Sequence, residues 1–298
     1  MADAALAVLG AERRAIDDAL MRLCDESGDA LSPRVADAIR YSLLGEGKRM
    51  RGFLVLHAYR SCGGGGDASP LAAAVEVVHA YSLVHDDLPC LDDDDVRRGR
   101  ASVHRAFDVA IATTAGLAMV PLAARAAFRA SLALGLTPEE GGAIVRDLMR
   151  ASGAGGMIGG QLLDLEGEGH EMDLAGLERI HRAKTGALIT AAVVLGGLAG
   201  GADDERLDAL RRYGEAIGLA FQIADDVLDV TATTDELGKT AGRDLDLQKS
   251  TYPALLGVEG ATARARALVE EACAALDAAG LLTPALEEVA RFTVTRRS

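Results

Sequence analysis

The sequence predicts an all-α protein. Three observations carry that reading. The helix formers Ala, Leu, Glu and Arg fill the chain, aromatic residues amount to only 3% with no Trp, and apolar residues recur at i, i+3/i+4 and i+7 almost throughout. With 298 residues, 49% of them apolar, a sizeable core is available. Loop signals at 63–70, 134–138, 166–171 and 196–204 divide the chain into about ten or more helices. No linker separates two halves and no period of 20–50 residues repeats, so a single domain over 1–298 is expected.

The elements follow in order. The opening MADAALAVLGAERRAIDDAL carries acids where a signal peptide carries basic charge. GKRMRG (47–52) places Lys48 and Arg51 at i, i+3, on one face of a helix. The tetraglycine at 63–66 reads as a surface connection. A helix over 71–84, with Val75, Val78, Leu83 and Val84 inward, runs into Asp86-Asp87-Leu88-Pro89-Cys90-Leu91-Asp92 and then Arg97-Arg98. His79 lies two turns before Asp86, on nearly the same face. Lys184-Thr185 opens the longest uncharged stretch, 185–202, which reaches the lower edge of membrane-spanning length. Its glycines cluster toward the end, so it reads as a buried core helix stopping near Gly196–Gly197, without stable membrane insertion. The stripe Leu210, Tyr213, Ile217, Phe221, Ala224, Leu228 defines a long helix ending in Asp225-Asp226-Val227-Leu228-Asp229. Lys239 and Lys249 bracket a glycine-containing segment after it.

Composition excludes several functions. The 31 basic against 45 acidic residues leave a net charge of −14, unsuited to a nucleic-acid groove. Cys24, Cys62, Cys90 and Cys273 are widely spaced and read as reduced thiols of a cytoplasmic protein. Gly238-Lys239-Thr240 lacks the leading glycine of a phosphate loop, since position 233 is Thr233. Ile158 stands where a dinucleotide fingerprint needs its third glycine, and Arg97 stands at the glycine position of a calcium loop.

The acidic clusters point to a metal. Asp225 and Asp229, about 40° apart on a helix, share a face one turn apart, where carboxylates repel and burial is costly. A divalent cation relieves both, and hard oxygen ligands suit Mg²⁺ shared with substrate phosphates. Asp86 and Asp92 would diverge on a continuous helix; Pro89 can turn the chain so that Asp92 folds back beside Asp86. The basic residues around them suit a substrate with several phosphates.

The segments GKRMRG (47–52), HAYSLVHDDLPCLDDDDVRRG (79–99), GGQLLDLEGEG (159–169), HRAKTGALI (181–189), GLAFQIADDVLDV (218–230) and LGKTAGRDLDLQKSTYPALLG (237–257) together resemble the trans-isoprenyl diphosphate synthases, and among them the bacterial farnesyl diphosphate type. The resemblance implies the isoprenoid synthase fold, a helical bundle around a deep central cavity, usually as a homodimer. It makes Asp86, Asp92 and Asp225 direct Mg²⁺ ligands, with Asp87, Asp226 and Asp229 completing the motifs directly or through water. Three Mg²⁺ would clamp the allylic diphosphate with Arg97, Lys184, Lys239 and Lys249. Lys48, Arg51, His79 and Arg98 would take isopentenyl diphosphate, and Thr185 and Gln222 would lie beside the reacting carbons. The implied reaction is head-to-tail condensation of isopentenyl diphosphate with dimethylallyl or geranyl diphosphate, giving farnesyl diphosphate; geranylgeranyl or geranyl diphosphate is the alternative product. Tyr81 and Ser82, five and four residues before Asp86, would form the cavity floor that sets product length. Two departures stand out. Gly52 replaces a common Pro, expected to loosen a turn. Leu117 replaces the Asp of an AGDAL segment, expected to alter the cavity wall. Other enzyme classes remain open at this point: a His-Asp metal phosphohydrolase built on His85-Asp86, or a non-catalytic subunit of a longer-chain synthase.

Overall fold

The computed structural model describes residues 2–28, 30–167, 169–170, 172–231 and 250–295. Among these residues there are thirteen α-helices, one π-helical turn and one minimal hairpin, so the all-α reading holds. The chain forms two compact units, Leu9–Leu56 with Gly65–Leu148, and Met1–Val8 with His57–Gly64 and Met149–Ser298.

The first unit contains most of α1 (Ala2–Gly28), then α2 (Pro33–Leu43), the start of α3 (Met50–Ser61) and α4 (Ser69–Asp86). A hairpin of Val96–Arg97 and Arg100–Ala101 follows, then α5 (Val103–Ala106), α6 (Val109–Ala133) and most of α7 (Pro138–Ser152). Helices α4 and α6 pack along each other. Each helix buries an apolar set: Leu71, Val75 and Val78 on α4, and Ala112, Ala115, Met119 and Ala123 on α6, all fully buried. Asp108 caps α6 by accepting from the Ile111 amide at 2.7 Å. The exposed side of α6 carries Thr114, Arg125 and Arg129 beside Leu117, which is 62% exposed. The expectation that Leu117 alters a cavity wall is therefore corrected: its side chain lies on the helix's outer face.

Two further readings need correction. Lys48 does not share a helical face with Arg51. The chain before α3 has no regular structure, Arg49 adopts a left-handed φ of 50°, and the helix starts only at Met50. Gly52 does not loosen a turn either. It lies in the first turn of α3, where its amide donates to the buried Glu76 carboxylate at 2.8 Å, a bond proline could not make.

The second unit comprises α8 (Met157–Gly167), α9 (Leu174–His181), a π-helical turn (Arg182–Gly186), α10 (Ala187–Ala199), α11 (Asp204–Thr231), α12 (Tyr252–Ala278, kinked at Gly257, where φ is 71°) and α13 (Pro284–Thr295). Helix α11 packs against both α10 and α12. Along α10, Leu188, Ile189, Ala192, Val193 and Leu195 are fully buried, so its apolar sequence serves the core. The helix continues past Gly196 and Gly197 to Ala199, further than the sequence suggests. The absent side chain at Gly197 is what admits Leu210, whose Cδ1 would lie 2.3 Å from an added Cβ. By length and composition alone, α6 and the segment Leu174–Ala199 could cross a membrane.

Two glycines bring the π-helical turn against its neighbours. A Cβ at Gly160 of α8 would lie 2.2 Å from the Lys184 amide nitrogen, and one at Gly218 of α11 would lie 2.7 Å from Gly186 Cα. Both clashes are with backbone, which cannot swing away. Gly218→Ala is therefore expected to destabilise the protein by about 1–3 kcal/mol through overpacking, read as a lowered urea midpoint; an unchanged midpoint would contradict the close approach.

Candidate functional site

The first acidic motif begins where α4 ends. Pro89 cannot donate a helical hydrogen bond and restrains Leu88, so the helix stops and the chain turns. Leu91 donates to Leu88 O at 2.9 Å, and Asp92 donates back to Asp86 O at 2.9 Å. The turn expected from Pro89 thus places Asp92 beside Asp86, and both are partly exposed. Asp87 differs: it is buried, and Arg97 Nε donates to its Oδ1 at 2.9 Å. Burial pushes the Asp87 carboxyl up, opposed by the Arg97 guanidinium. Arg97 also reaches Asp94 Oδ2 at 3.0 Å.

The hairpin explains how adjacent arginines serve different ends. Arg98 and Gly99 both have positive φ (53° and 71°), the pattern of a type I′ turn. Arg97 points to the aspartates, whereas Arg98 Nη1 donates to Glu46 O at 2.8 Å and Nη2 lies 3.4 Å from His79 Nε2. A guanidinium only donates, so His79 accepts there and carries its proton on Nδ1. A cavity of about 60 Å³ is lined by Arg49, Glu76, His79, Asp87, Arg97 and Arg98 among others. Burial first, then Arg51 and Arg98, push the His79 imidazole well below its ordinary 6.5. Of the four residues expected to bind one diphosphate, His79 and Arg98 meet in this cavity and Arg51 is near enough to weigh on His79. Lys48 lies in the irregular stretch ahead of α3.

Arg49, not singled out from the sequence, is the buried member of GKRMRG. Its Nε donates to Asp17 at 2.7 Å and its Nη2 to Leu43 O at 2.7 Å. Glu76, also passed over, receives the Gly52 amide. Tyr81 is 3% exposed and packs edge-on against His85 with ring centroids 5.9 Å apart. Ser82 Oγ donates to His79 O at 2.8 Å. His85 Nε2 lies 3.2 Å from Thr113 O, so that nitrogen is the donor of the ring. Asp93, Asp95 and His104 bring their ligand atoms within 4.8 Å of one another, with Asp95 paired to Arg105.

The second unit carries the other motif. Lys184 and Thr185 sit in the π-helical turn rather than on a regular helix, and the local widening presents both side chains toward α8 and α11. Lys184 Nζ donates to Asp164 Oδ2 at 2.6 Å. Thr185 Oγ1 donates to Gln222 Oε1 at 3.0 Å, and Gln222 Nε2 donates to Asp226 Oδ1 at 3.1 Å. Asp226 is 3% exposed, and its other oxygen accepts the Tyr252 amide at 3.1 Å, at the start of α12. His181 Nε2 lies 3.7 Å from the same oxygen and its ring stacks on Tyr252. Asp229 is buried while Asp225 is partly exposed. A cavity of about 170 Å³ is lined by Asp164, His181, Lys184, Gln222, Asp226 and Thr251 among others. Asp164, which shares α8 with Glu166, was not singled out from the sequence. Lys239 and Lys249 lie outside the described residues.

The donor set fits Mg²⁺. Partly exposed carboxylates at Asp86, Asp92 and Asp225 are hard oxygen ligands, and guanidinium and ammonium groups lie nearby in each unit for substrate phosphates.

These features define a class. The polyprenyl synthetase family model matches residues 32–286. The chain is 46% identical over 269 residues to farnesyl diphosphate synthase of Escherichia coli (strain K12), covering 88% of this chain and 89% of that one. It is 46% identical over 237 residues to dimethylallyltranstransferase of Fischerella ambigua (strain UTEX 1903), covering 79% and 68%. The crystal structure of geranylgeranyl pyrophosphate synthetase from Pyrococcus horikoshii Ot3 superposes with a TM-score of 0.85 at 29% identity, covering 99% of both chains. The chain belongs to the polyprenyl synthetase family and is a prenyltransferase.

The His79 environment gives a testable pH effect. Below 6.5 the unfolded chain binds a proton at this imidazole that the folded chain refuses, so stability falls as pH drops through that value. His79→Gln is expected to show a shallower loss of denaturation midpoint between pH 7 and 5 than the wild type. Parallel curves would rule out a neutral His79.

Proposed function

We propose that the chain is a Mg²⁺-dependent farnesyl diphosphate synthase, condensing isopentenyl diphosphate with dimethylallyl or geranyl diphosphate. The observation that carries this is the Lys184–Thr185–Gln222 arrangement in the second unit, together with the back-folded Asp86–Asp92 turn in the first. Asp86, Asp92 and Asp225 serve as metal ligands, with Asp229 close by in the second motif. Mg²⁺, when bound, neutralises the allylic diphosphate so that it can depart. Arg97 and Lys184, with Lys239 and Lys249, add positive charge for the leaving group as its negative charge develops. Arg51, His79 and Arg98, with Lys48, bind the second diphosphate and hold the isopentenyl double bond in place. Thr185 and Gln222 offer oxygen dipoles to the allylic cation without admitting water that would convert it to an alcohol. Loss of a proton to the departed diphosphate ends the cycle.

Tyr81, backed by His85, is the bulky residue proposed to close the cavity floor, with Ser82 beside it. A fifteen-carbon product agrees with a ring at this position, and geranylgeranyl diphosphate is the expected product when it is removed. The chain is also proposed to act as a cytoplasmic homodimer. Apolar residues exposed on α6 (Leu117) and on α8 (Ile158 and Leu162, 52% and 56% exposed) support a protein contact.

Incubation with geranyl diphosphate, isopentenyl diphosphate and Mg²⁺ should yield farnesyl diphosphate. Chelator should abolish turnover, and Asp225→Ala should lower kcat/KM by about 100-fold or more. Absence of a prenyl product, or chelator-resistant turnover, would reject the function. Tyr81→Ala should shift the product to twenty carbons by chromatography; an unchanged product would reject the floor assignment alone.

A further inference from the structure

We infer that Asp226 is a positioning residue whose buried carboxylate sets the direction of the Thr185 hydroxyl through Gln222, and that it is not a metal ligand. The inference rests on the proposed prenyl transfer, in which Thr185 faces the allylic cation. It starts from a simple asymmetry: a carboxylate accepts hydrogen bonds and has none to give. Asp226 Oδ2 is occupied by the Tyr252 amide at 3.1 Å, and Oδ1 by the Gln222 side chain at 3.1 Å. The Gln222 amide can meet a carboxylate only with its nitrogen. Its oxygen must then face Thr185, at 3.0 Å, and the Thr185 hydroxyl must spend its proton on that oxygen. The hydroxyl turns its lone pairs, and no hydrogen, toward the remaining space. That is the polarity a developing carbocation requires, and it is fixed before substrate arrives, so no reorganisation accompanies ionisation.

Each link is held from behind. Tyr252 opens the short helical segment ahead of the Gly257 kink, so its amide is one of the first-turn donors without a helical partner and is available to the desolvated carboxylate. Thr251 caps the same helix by accepting from Ala254 N at 3.3 Å, which fixes the direction of that first turn. The His181 ring, stacked on Tyr252, covers the Oδ2 side. With 3% of its surface exposed, Asp226 contrasts with its partly exposed neighbour Asp225.

The test reverses the polarity. In Asp226→Asn the new amide can accept from Tyr252 and donate to Gln222, which turns the Gln222 amide over and makes Thr185 an acceptor, with its proton aimed at the substrate. The variant should lose about 100-fold in kcat, the scale of one preorganised dipole, while both KM values stay within about threefold. Mn²⁺ binding, followed by electron paramagnetic resonance with inorganic diphosphate present, should match the wild type, whereas Asp225→Asn should weaken it. The double variant Gln222→Glu/Asp226→Asn restores an acceptor facing Thr185 and should recover about tenfold or more of the lost kcat. Mn²⁺ binding weakened as strongly by Asp226→Asn as by Asp225→Asn, an unaffected kcat, or no recovery in the double variant would overturn the inference. If Asp226→Asn does not fold by thermal melting, Gln222→Leu decides: it leaves Asp226 in place, should keep Mn²⁺ binding and should lose kcat to the same extent, and a kcat near wild type would overturn the relay. A wild type that forms no prenyl diphosphate would instead refute the proposed function and is distinguished by its own assay.

Discussion

A carboxylate withdrawn from water must be met by donors, and that requirement organises both acidic motifs. In each, the second aspartate of an Asp-Asp pair is the buried one. Asp87 is answered by the Arg97 guanidinium, Asp226 by the Tyr252 amide and the Gln222 side chain. Arg97 reaches Asp87 because a hairpin with two left-handed residues turns it inward, and Gln222 reaches Asp226 because i and i+4 share a helical face. The first aspartate of each pair stays partly exposed. One repeated dipeptide thereby yields two electrostatic tasks, separated by which side of the helix end each residue occupies.

The π-helical turn shows how backbone irregularity serves the same end. A regular helix from Leu174 to Ala199 would bury its polar Lys-Thr pair or turn it to solvent according to phase alone. The widened turn at Arg182–Gly186 shifts that phase locally, and the bare faces of Gly160 and Gly218 let neighbouring helices come close enough for Asp164 and Gln222 to reach it.

Much of this was legible beforehand. Period 3.6 gave α4 and α11 with ends within a few residues, because both carry long inward stripes. Pro89 gave the fold-back of Asp92, since one residue's chemistry decides that turn. What escaped was decided by tertiary contact. Lys48 and Arg51 look like a helical pair until the left-handed Arg49 delays the helix. Arg49 itself reads as one more surface charge; only Asp17 and the carbonyl of Leu43, distant in sequence, make it internal. Gly52 looked permissive because its value lies in a hydrogen atom that Glu76 claims, and Leu117 looked like a wall residue because sequence spacing does not say which side of α6 faces out.

The five-residue turn at Arg182–Gly186 also bears on how this region tolerates change in length. A π turn holds one residue more than an α turn, so deleting one residue there would relax it to regular helix while leaving everything downstream facing nearly as before. Leu188, Ile189 and Val193 would keep their places in the core. What would be lost is the widening that presents Lys184 and Thr185 to Asp164 and Gln222, so the spare residue serves those two side chains and not the register of α10.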